Sequence, residues 1–141
     1  MLPLLAAWLA LPGAVVELAT LAETNRPRAE AGIARLVSDP ALTRLAREHA
    51  ATMARLNQLG HDLDGRTFAE RIAASKLRLT KAAENVAQGP QSPRQAVESW
   101  LMSPGHRANL LDPDLTHVGV ATAAAADGTR YWIQVFAALA K

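Results

Sequence analysis

The most regular pattern of apolar and polar positions lies between Asp39 and Gly60. Apolar side chains and one histidine recur there every three or four residues, at Leu42, Leu45, Ala46, His49, Met53 and Leu56. This spacing places them on one face of an amphipathic helix. Asp39 suits the N-cap and Pro40 the first helical position, so we predict a helix from Pro40 to Gly60. Within this stripe His49 is expected to be a buried, hydrogen-bonded core residue.

Weaker patterns predict helices on both sides of this one. Apolar spacing from Val15 indicates a first helix that Pro27 ends or kinks, with Gly32 marking the following turn. Beyond a loop at residues 61–65, we expect a short helix that ends near residue 74. The pattern of residues 76–83 favours no particular element.

Two helix start signals follow each other in the second half of the chain. Ser92 and Gln95 match a capping box, with a proline between them at the first helical position, and predict a helix through Leu101. Ser103 is a suitable N-cap for a second, short helix that ends at Leu111.

The pattern then changes from helical to strand-like. Residues 117–124 and 130–136 are predicted to be strands, joined around the hairpin turn signal Asp127-Gly128. Helices followed by a terminal hairpin indicate an α+β domain.

Composition limits the class of protein. The chain has 141 residues, a formal net charge of +2 and no cysteine. This length suits one domain with a substantial core. Lysine and arginine are scattered rather than clustered, so the sequence lacks the basic footprint of a nucleic-acid-binding protein. The absence of cysteine excludes disulfides and thiolate metal sites.

The first sixteen residues carry almost no charge. Interrupted at Pro12-Gly13, this apolar stretch is too short for an ordinary transmembrane helix. Two interpretations stay open for residues 1–15: an export signal or its remnant, and an N-terminal extension of the first helix.

Three residues that are far apart in sequence could converge in one polar site. His106 falls at the third position of the short helix after Ser103, where the helix dipole disfavours protonation of an imidazole. A neutral histidine can bind a metal or act as a general base. His61 and Glu84 could add a second imidazole and a carboxylate, although histidines at this spacing are a weak metal signal. Alternatively, Glu84 could accept backbone hydrogen bonds or pair with Arg71 or Arg107.

Short motifs in a fixed order carry a family resemblance. They include Leu21-Ala22-Glu23-Thr24-Asn25, Glu84-Asn85-Val86-Ala87, residues 100–111, Val118-Gly119-Val120-Ala121 and Tyr131-Trp132-Ile133-Gln134-Val135-Phe136. Their order resembles a bacterial member of the CAP superfamily, the cysteine-rich secretory protein family, also called SCP-like or PR1-like. The resemblance implies one CAP/SCP domain over residues 16–137. Its expected fold is an α-β-α sandwich, with a small, mainly antiparallel sheet between helical layers.

The resemblance also implies a surface cleft lined by two histidines and two acidic residues. Carried over by position, His61 and His106 are the histidines and Glu84 is the first acid. Ser103 occupies the position of the second acid, so that member is missing. The two imidazoles are candidate ligands of a divalent metal such as zinc, with water completing the coordination. Glu84 would be a ligand, an orienting partner of one imidazole, or a base acting on metal-bound water.

Other chemically conspicuous residues are expected to be structural. Four polar side chains are expected to fix backbone or loops: Asn25, Arg28, Asn85 and Asn109. Trp100 and Trp132 occupy apolar positions and are expected in the core, whereas His117 opens a strand and is expected to be solvated.

The resemblance leaves three alternative functions open. The favoured one is an exported module, secreted or at the cell envelope, that binds a lipid, an envelope glycan or a protein partner without catalysis. Such a module is expected to be a monomer without an integral membrane span. The second alternative is a metal-dependent hydrolase, in which His61 and His106 hold the ion and Glu84 activates its water. The third is a purely structural or interaction domain, because fold alone does not give function.

Overall fold

A four-stranded sheet organises residues 11–141, the part of the chain that the computed structural model describes. Its strands are β1 (Val37–Ser38), β2 (Leu79–Gln88), β3 (His117–Ala124) and β4 (Arg130–Leu139), in the spatial order β1-β3-β4-β2. β1 runs parallel to β3, whereas β4 is antiparallel to both of its neighbours. The sheet is therefore mainly antiparallel, with β2 at one edge and the very short β1 at the other.

Helices cover both faces of this sheet. They are α1 (Gly13–Glu30), α2 (Pro40–Leu56), α3 (Phe68–Ala74), α4 (Pro93–Leu101) and α5 (Pro104–Leu110). α2 and α3 pack on one face, over a buried cluster that contains Ile133 and Val135. α1, α4 and α5 pack on the other face, where Trp100, Trp132 and Phe136 are buried. The predicted α-β-α sandwich and the core positions of the two tryptophans are confirmed.

The start of α2 agrees with the sequence, but its predicted end at Gly60 is wrong. The Asp39 carboxylate accepts a hydrogen bond from the backbone N–H of Leu42 at 2.9 Å, as an N-cap should. The helix ends at Leu56 because Asn57 adopts the left-handed conformation, with φ of 49°. Asparagine tolerates this conformation better than most residues, so it ends the helix three residues before the glycine.

α2 lies directly on β3 at Gly119. A Cβ atom at this position would lie 2.2 Å from the carbonyl carbon of Leu42, which is backbone and cannot move aside. Only glycine permits such a close approach between a helix and a strand. This contact fixes the depth of α2 and therefore of His49, which α2 carries.

α1 continues past Pro27 to Glu30, so the prediction that this proline could end the helix is wrong. Asn25 exchanges two hydrogen bonds with the backbone of Leu36, at 2.7 and 3.0 Å. Arg28 is fully buried and donates to four backbone carbonyls, those of Ala34, Leu110, Asp112 and Leu115. These contacts hold the last turn although Pro27 lacks an N–H. The chain then turns at Gly32, with φ of 72°.

α4 and α5 begin where the sequence predicts, but their capping hydrogen bonds differ from the predicted ones. Ser92 caps α4, but the side chain of Gln95 accepts from Gln91 rather than from Ser92, so the capping box is not reciprocal. Ser103 precedes α5 as predicted, yet its side chain makes no capping hydrogen bond. α5 is therefore held by contacts to the rest of the molecule.

β3 has the predicted bounds, residues 117–124, whereas β2 is not predicted and β4 is longer than predicted. β2 occupies residues that include most of 76–83, for which no element is predicted, and β4 extends three residues beyond 136, to Leu139. Both differences have one cause, since β2 and β4 pair with each other from Leu79–Leu139 to Gln88–Tyr131. The long antiparallel ladder satisfies the backbone groups of both strands.

Residues 1–10 lie outside the described residues, and they make up most of the stretch 1–15 that is interpreted as an export signal or a helix extension. α1 begins at Gly13, just before the proposed domain start. Within residues 11–141, no helix combines the length and the apolar character that crossing a bilayer requires.

Candidate functional site

Glu84 and Asn85 are adjacent on the edge strand β2, and their side chains lie on opposite faces of the sheet because strand side chains alternate. Glu84 pairs with Val135 and shares the face covered by α2 and α3. Asn85 pairs with Gln134 and shares the face covered by α1, α4 and α5. The two halves of the candidate site therefore meet at this edge of the sheet.

The carboxylate of Glu84 is buried, with 1% of its side chain exposed, and uses one oxygen for two partners. Arg71, on α3, donates from Nη2 to Oε1 at 2.7 Å. The Nδ1 atom of His61 lies 2.9 Å from the same oxygen. Arg71 Nη2 also donates to the backbone carbonyl of His61 at 3.0 Å. Of the alternatives left open for Glu84, the structure shows the ion pair with Arg71, whereas Arg107 is exposed.

Local hydrogen bonds fix the loop that carries His61. The buried His49 approaches the carbonyl of Gly60 with Nε2 at 2.7 Å, which confirms the prediction of a core histidine. The Asp62 carboxylate accepts from the backbone N–H of Phe68, the first residue of α3, at 2.9 Å. α3 itself starts with a reciprocal capping box between Thr67 and Glu70.

His61 and Glu84 shift each other's pKa in opposite directions. The hydrogen bond to Glu84 raises the pKa of His61, against the effect of its partial burial. Burial alone would raise the pKa of Glu84, but the hydrogen bonds from His61 and Arg71 outweigh it and hold that pKa below its usual range. The carboxylate is therefore ionised at neutral pH.

His106 reaches the site from the other helical layer. Its backbone carbonyl accepts a hydrogen bond from Asn85 Nδ2 at 3.0 Å. Burial lowers the pKa of the His106 imidazole, and the nearby His61 lowers it further, so the neutral form is favoured. Among residues 11–141, no hydrogen bond joins the His106 ring to Glu84, and none joins the Ser103 side chain to any member of the site.

The residues present do not fit a catalytic zinc centre. Among the described residues, no group of three or more His, Cys, Asp or Glu side chains could hold a metal ion. Catalytic zinc sites have three protein ligands. The His61–Glu84 hydrogen bond does resemble the carboxylate–imidazole contact that orients metal ligands, but it leaves only two imidazoles to bind an ion. Zinc binding by His61 and His106 stays a prediction.

Gln134 is the buried polar residue of the site region that sequence reasoning missed. It lies fully buried on the central strand β4 and accepts from Asn85 Nδ2 at 3.0 Å. Asn109 donates to Asn85 Oδ1 at 3.0 Å, which agrees with the expected structural roles of both asparagines. A glutamine inside the apolar run of residues 131–136 was the available signal, because a buried amide requires partners.

An apolar groove lies on the far side of the sheet from Glu84. It has a volume of about 160 Å³ and lies between α1, α2 and β3, with Leu18, Leu21, Val118 and Val120 in its lining. β3 lies beside β1, whereas Glu84 lies on β2 at the opposite edge. The groove and the histidines are therefore separate features.

Comparison with known proteins agrees with this fold. The model of the cysteine-rich secretory protein family, CAP, matches residues 21–136, and the chain belongs to this family. Two Bacillus subtilis proteins are similar in sequence. Uncharacterized protein YkwD is 33% identical over 99 residues, which are 69% of this chain and 38% of that protein. Uncharacterized membrane protein YlbC is 34% identical over 98 residues, which are 69% of this chain and 28% of that protein. The chain spans about a third of the length of these curated relatives.

Two solved structures resemble the whole sandwich. One is an extracellular protein containing a SCP domain from Bacillus anthracis, with a TM-score of 0.78, 27% identity, and coverage of 89% of this chain and 41% of that chain. The other is an outer surface protein from Borrelia burgdorferi, with a TM-score of 0.78, 23% identity, and coverage of 85% and 90%. The second likeness concerns the fold alone.

Proposed function

We propose that this chain is an extracytoplasmic CAP domain that binds a hydroxyl-rich ligand, such as a fragment of cell-envelope glycan, between His61 and His106, without catalysis. The observation that carries the proposal is the position of Glu84. Its carboxylate lies buried beneath a His61 side chain that is 48% exposed, and a hydrogen bond joins the two. The carboxylate orients the imidazole and the imidazole faces the solvent.

The chemistry of the two imidazoles suits hydroxyl groups. When Nδ1 of His61 donates to Glu84, its Nε2 accepts a hydrogen bond in the neutral ring and donates one in the protonated ring. His106, which favours the neutral form, offers a second acceptor or donor. Sugar hydroxyls both donate and accept, so they can pair with either state of His61.

Two observations favour a glycan over a lipid and binding over hydrolysis. The apolar groove that a lipid would need lies near the opposite edge of the sheet, beside β3. Glu84 has almost no exposed surface and its Oε1 atom is shared by Arg71 and His61, which makes it a weak and inaccessible base. A general base must reach the proton that it removes.

The proposed location outside the cytoplasm is supported by a similar protein. The Bacillus anthracis structure is described as that of an extracellular protein. The apolar stretch of residues 1–15 has the length of the apolar core of an export signal.

Calorimetric titration with soluble peptidoglycan fragments tests the proposal. We expect wild-type protein to bind, and His61→Ala to weaken binding by about tenfold, the effect of one hydrogen bond to a charged group. His117→Ala is the matched control, since His117 is a partly exposed histidine at the start of β3, and it should bind like wild type. No binding by wild type, or equal binding by both variants, would contradict the proposal. Cleavage of the fragments by wild type but not by Glu84→Gln would favour the hydrolase alternative.

A further inference from the structure

A chain of buried hydrogen bonds runs along one face of the sheet, from α1 across β4 and β2 to the start of α5. Gln134 donates from Nε2 to the hydroxyl of Thr24 at 2.8 Å, and that hydroxyl donates to the carbonyl of Thr20 at 2.7 Å. Gln134 Oε1 accepts from Asn85 Nδ2, which also donates to the carbonyl of His106, both at 3.0 Å. Thr24, Gln134 and Asn85 are all fully buried.

Each group in this chain has one role that fits its neighbours. The Thr24 hydroxyl donates to a carbonyl, so it accepts from the amide of Gln134. This orients the oxygen of Gln134 towards Asn85. Asn85 Nδ2 then uses one hydrogen for Gln134 and the other for His106, while its oxygen accepts from Asn109. Exchanging the positions of oxygen and nitrogen in the side-chain amide of Gln134 or Asn85 would leave buried donors or acceptors unpaired, which costs stability in a desolvated site.

We infer that Gln134 is a positioning residue of the candidate cleft: through Asn85 it fixes the first turn of α5, and with it the place of His106. The inference rests on the proposed function, which gives the two imidazoles their use. Adjacent residues of β2 then set the two halves of the site. Glu84 orients the imidazole of His61 on one face, and Asn85, held by Gln134, holds the backbone of His106 on the other.

NMR spectra of the protein without ligand test this inference. Gln134→Met keeps the length of the side chain and removes both of its hydrogen bonds. We expect the side-chain amide hydrogens of Asn85 to exchange with solvent about tenfold faster, the change expected for one lost hydrogen bond. The ring resonances of His106 should shift as well. Val120→Ala is the matched control, because buried Val120 pairs with Gln134 on the neighbouring strand and is apolar.

A second pair of variants changes Thr24, at the α1 end of the hydrogen-bond chain, and applies even where Gln134→Met does not fold. Thr24→Val removes the hydroxyl that accepts from Gln134 and changes the side-chain volume little, whereas Thr24→Ser keeps this hydroxyl. We expect Thr24→Val to shift the His106 resonances and Thr24→Ser to leave them as in the wild type. Unchanged His106 resonances in Gln134→Met and Thr24→Val, or an equal shift in Val120→Ala, would overturn the inference. No glycan is present in these spectra, so a failed glycan titration would not affect their outcome.

Discussion

At the scale of single residues, Arg71 is the cation that allows the Glu84 carboxylate to be buried. Their side chains are 8% and 1% exposed. Arg71→Met would leave the buried carboxylate with only the half-exposed imidazole of His61 as a partner, and we expect a loss of about 3–5 kcal/mol in the free energy of unfolding. Urea unfolding at neutral pH measures this loss.

The matched control is the double variant Arg71→Met/Glu84→Gln, which removes both charges. Among the described residues, Arg71 Nε and Nη1 and Glu84 Oε2 have no hydrogen-bond partner. The intact ion pair therefore adds little net stability, and the double variant should recover most of the loss. A cost below about 1 kcal/mol for Arg71→Met alone would contradict the importance of the counter-charge.

The contact between His61 and Glu84 predicts stability that depends on pH. Glu84 raises the pKa of His61 above its ordinary value of 6.5, so this group stabilises the fold fully below that pH and loses its effect as pH rises through the folded-state pKa. Glu84 has a lowered pKa, so its contribution is present above its ordinary value of 4.5 and is lost as pH falls through the folded-state pKa. The charged contact therefore contributes most between these two values.

His61→Ala should accordingly cost more stability near pH 5.5 than near pH 9, by up to about 1 kcal/mol because the ring is half exposed. Thermal unfolding at the two pH values measures the difference. His117→Ala controls for the loss of an imidazole elsewhere. The same cost of His61→Ala at both values would show that the ring is not held as a cation by Glu84.

At the scale of the elements, the two predicted N-caps of α2 and α5 should behave differently. The Asp39 side chain accepts from the backbone N–H of Leu42, whereas Ser103 makes no capping hydrogen bond. Asp39→Ala should therefore lower the free energy of unfolding by about 1 kcal/mol. Ser103→Ala should change it by less than about 0.5 kcal/mol. Equal losses in urea unfolding would mean that Ser103 caps α5 in solution.

Local start signals explain which elements the sequence could predict. α2 and α4 begin with local signals, a capping side chain followed by proline, which act within four residues. β2 has no such signal, because its sequence LTKAAENVAQ contains three alanines, a lysine, a glutamate and a glutamine, all of which also suit helices. It becomes a strand by pairing with β4, about fifty residues away, and no local pattern reveals that partner.

At the scale of the whole molecule, the site depends on the same long-range pairing. The motifs around His61, Glu84 and His106 could be recognised from the sequence. The partner of Glu84 could not be identified, because Arg71 and Arg107 were both possible partners. α3 brings Arg71 to the carboxylate. Gln134 was missed for a related reason, since its partners Thr24 and Asn85 lie 110 and 49 residues away.

Arg28 links three parts of the molecule. Its guanidinium donates to the carbonyls of Ala34, Leu110, Asp112 and Leu115, which lie after α1, at the end of α5 and before β3. Lysine keeps the charge but offers its donors from a single atom, so it cannot span these acceptors. We therefore expect Arg28→Lys to cost at least about 2 kcal/mol in urea unfolding.

Arg26→Lys is the matched control on the same helix. Arg26 is partly exposed and pairs with Glu23 and Glu30 on the surface of α1, so this change should cost less than about 0.5 kcal/mol. Because Leu110 lies in α5, Arg28→Lys should also speed amide exchange in α5 together with the end of α1, whereas Arg26→Lys should leave α5 unchanged. Similar unfolding free energies for the two variants would mean that α1, α5 and β3 are held together by their apolar contacts alone.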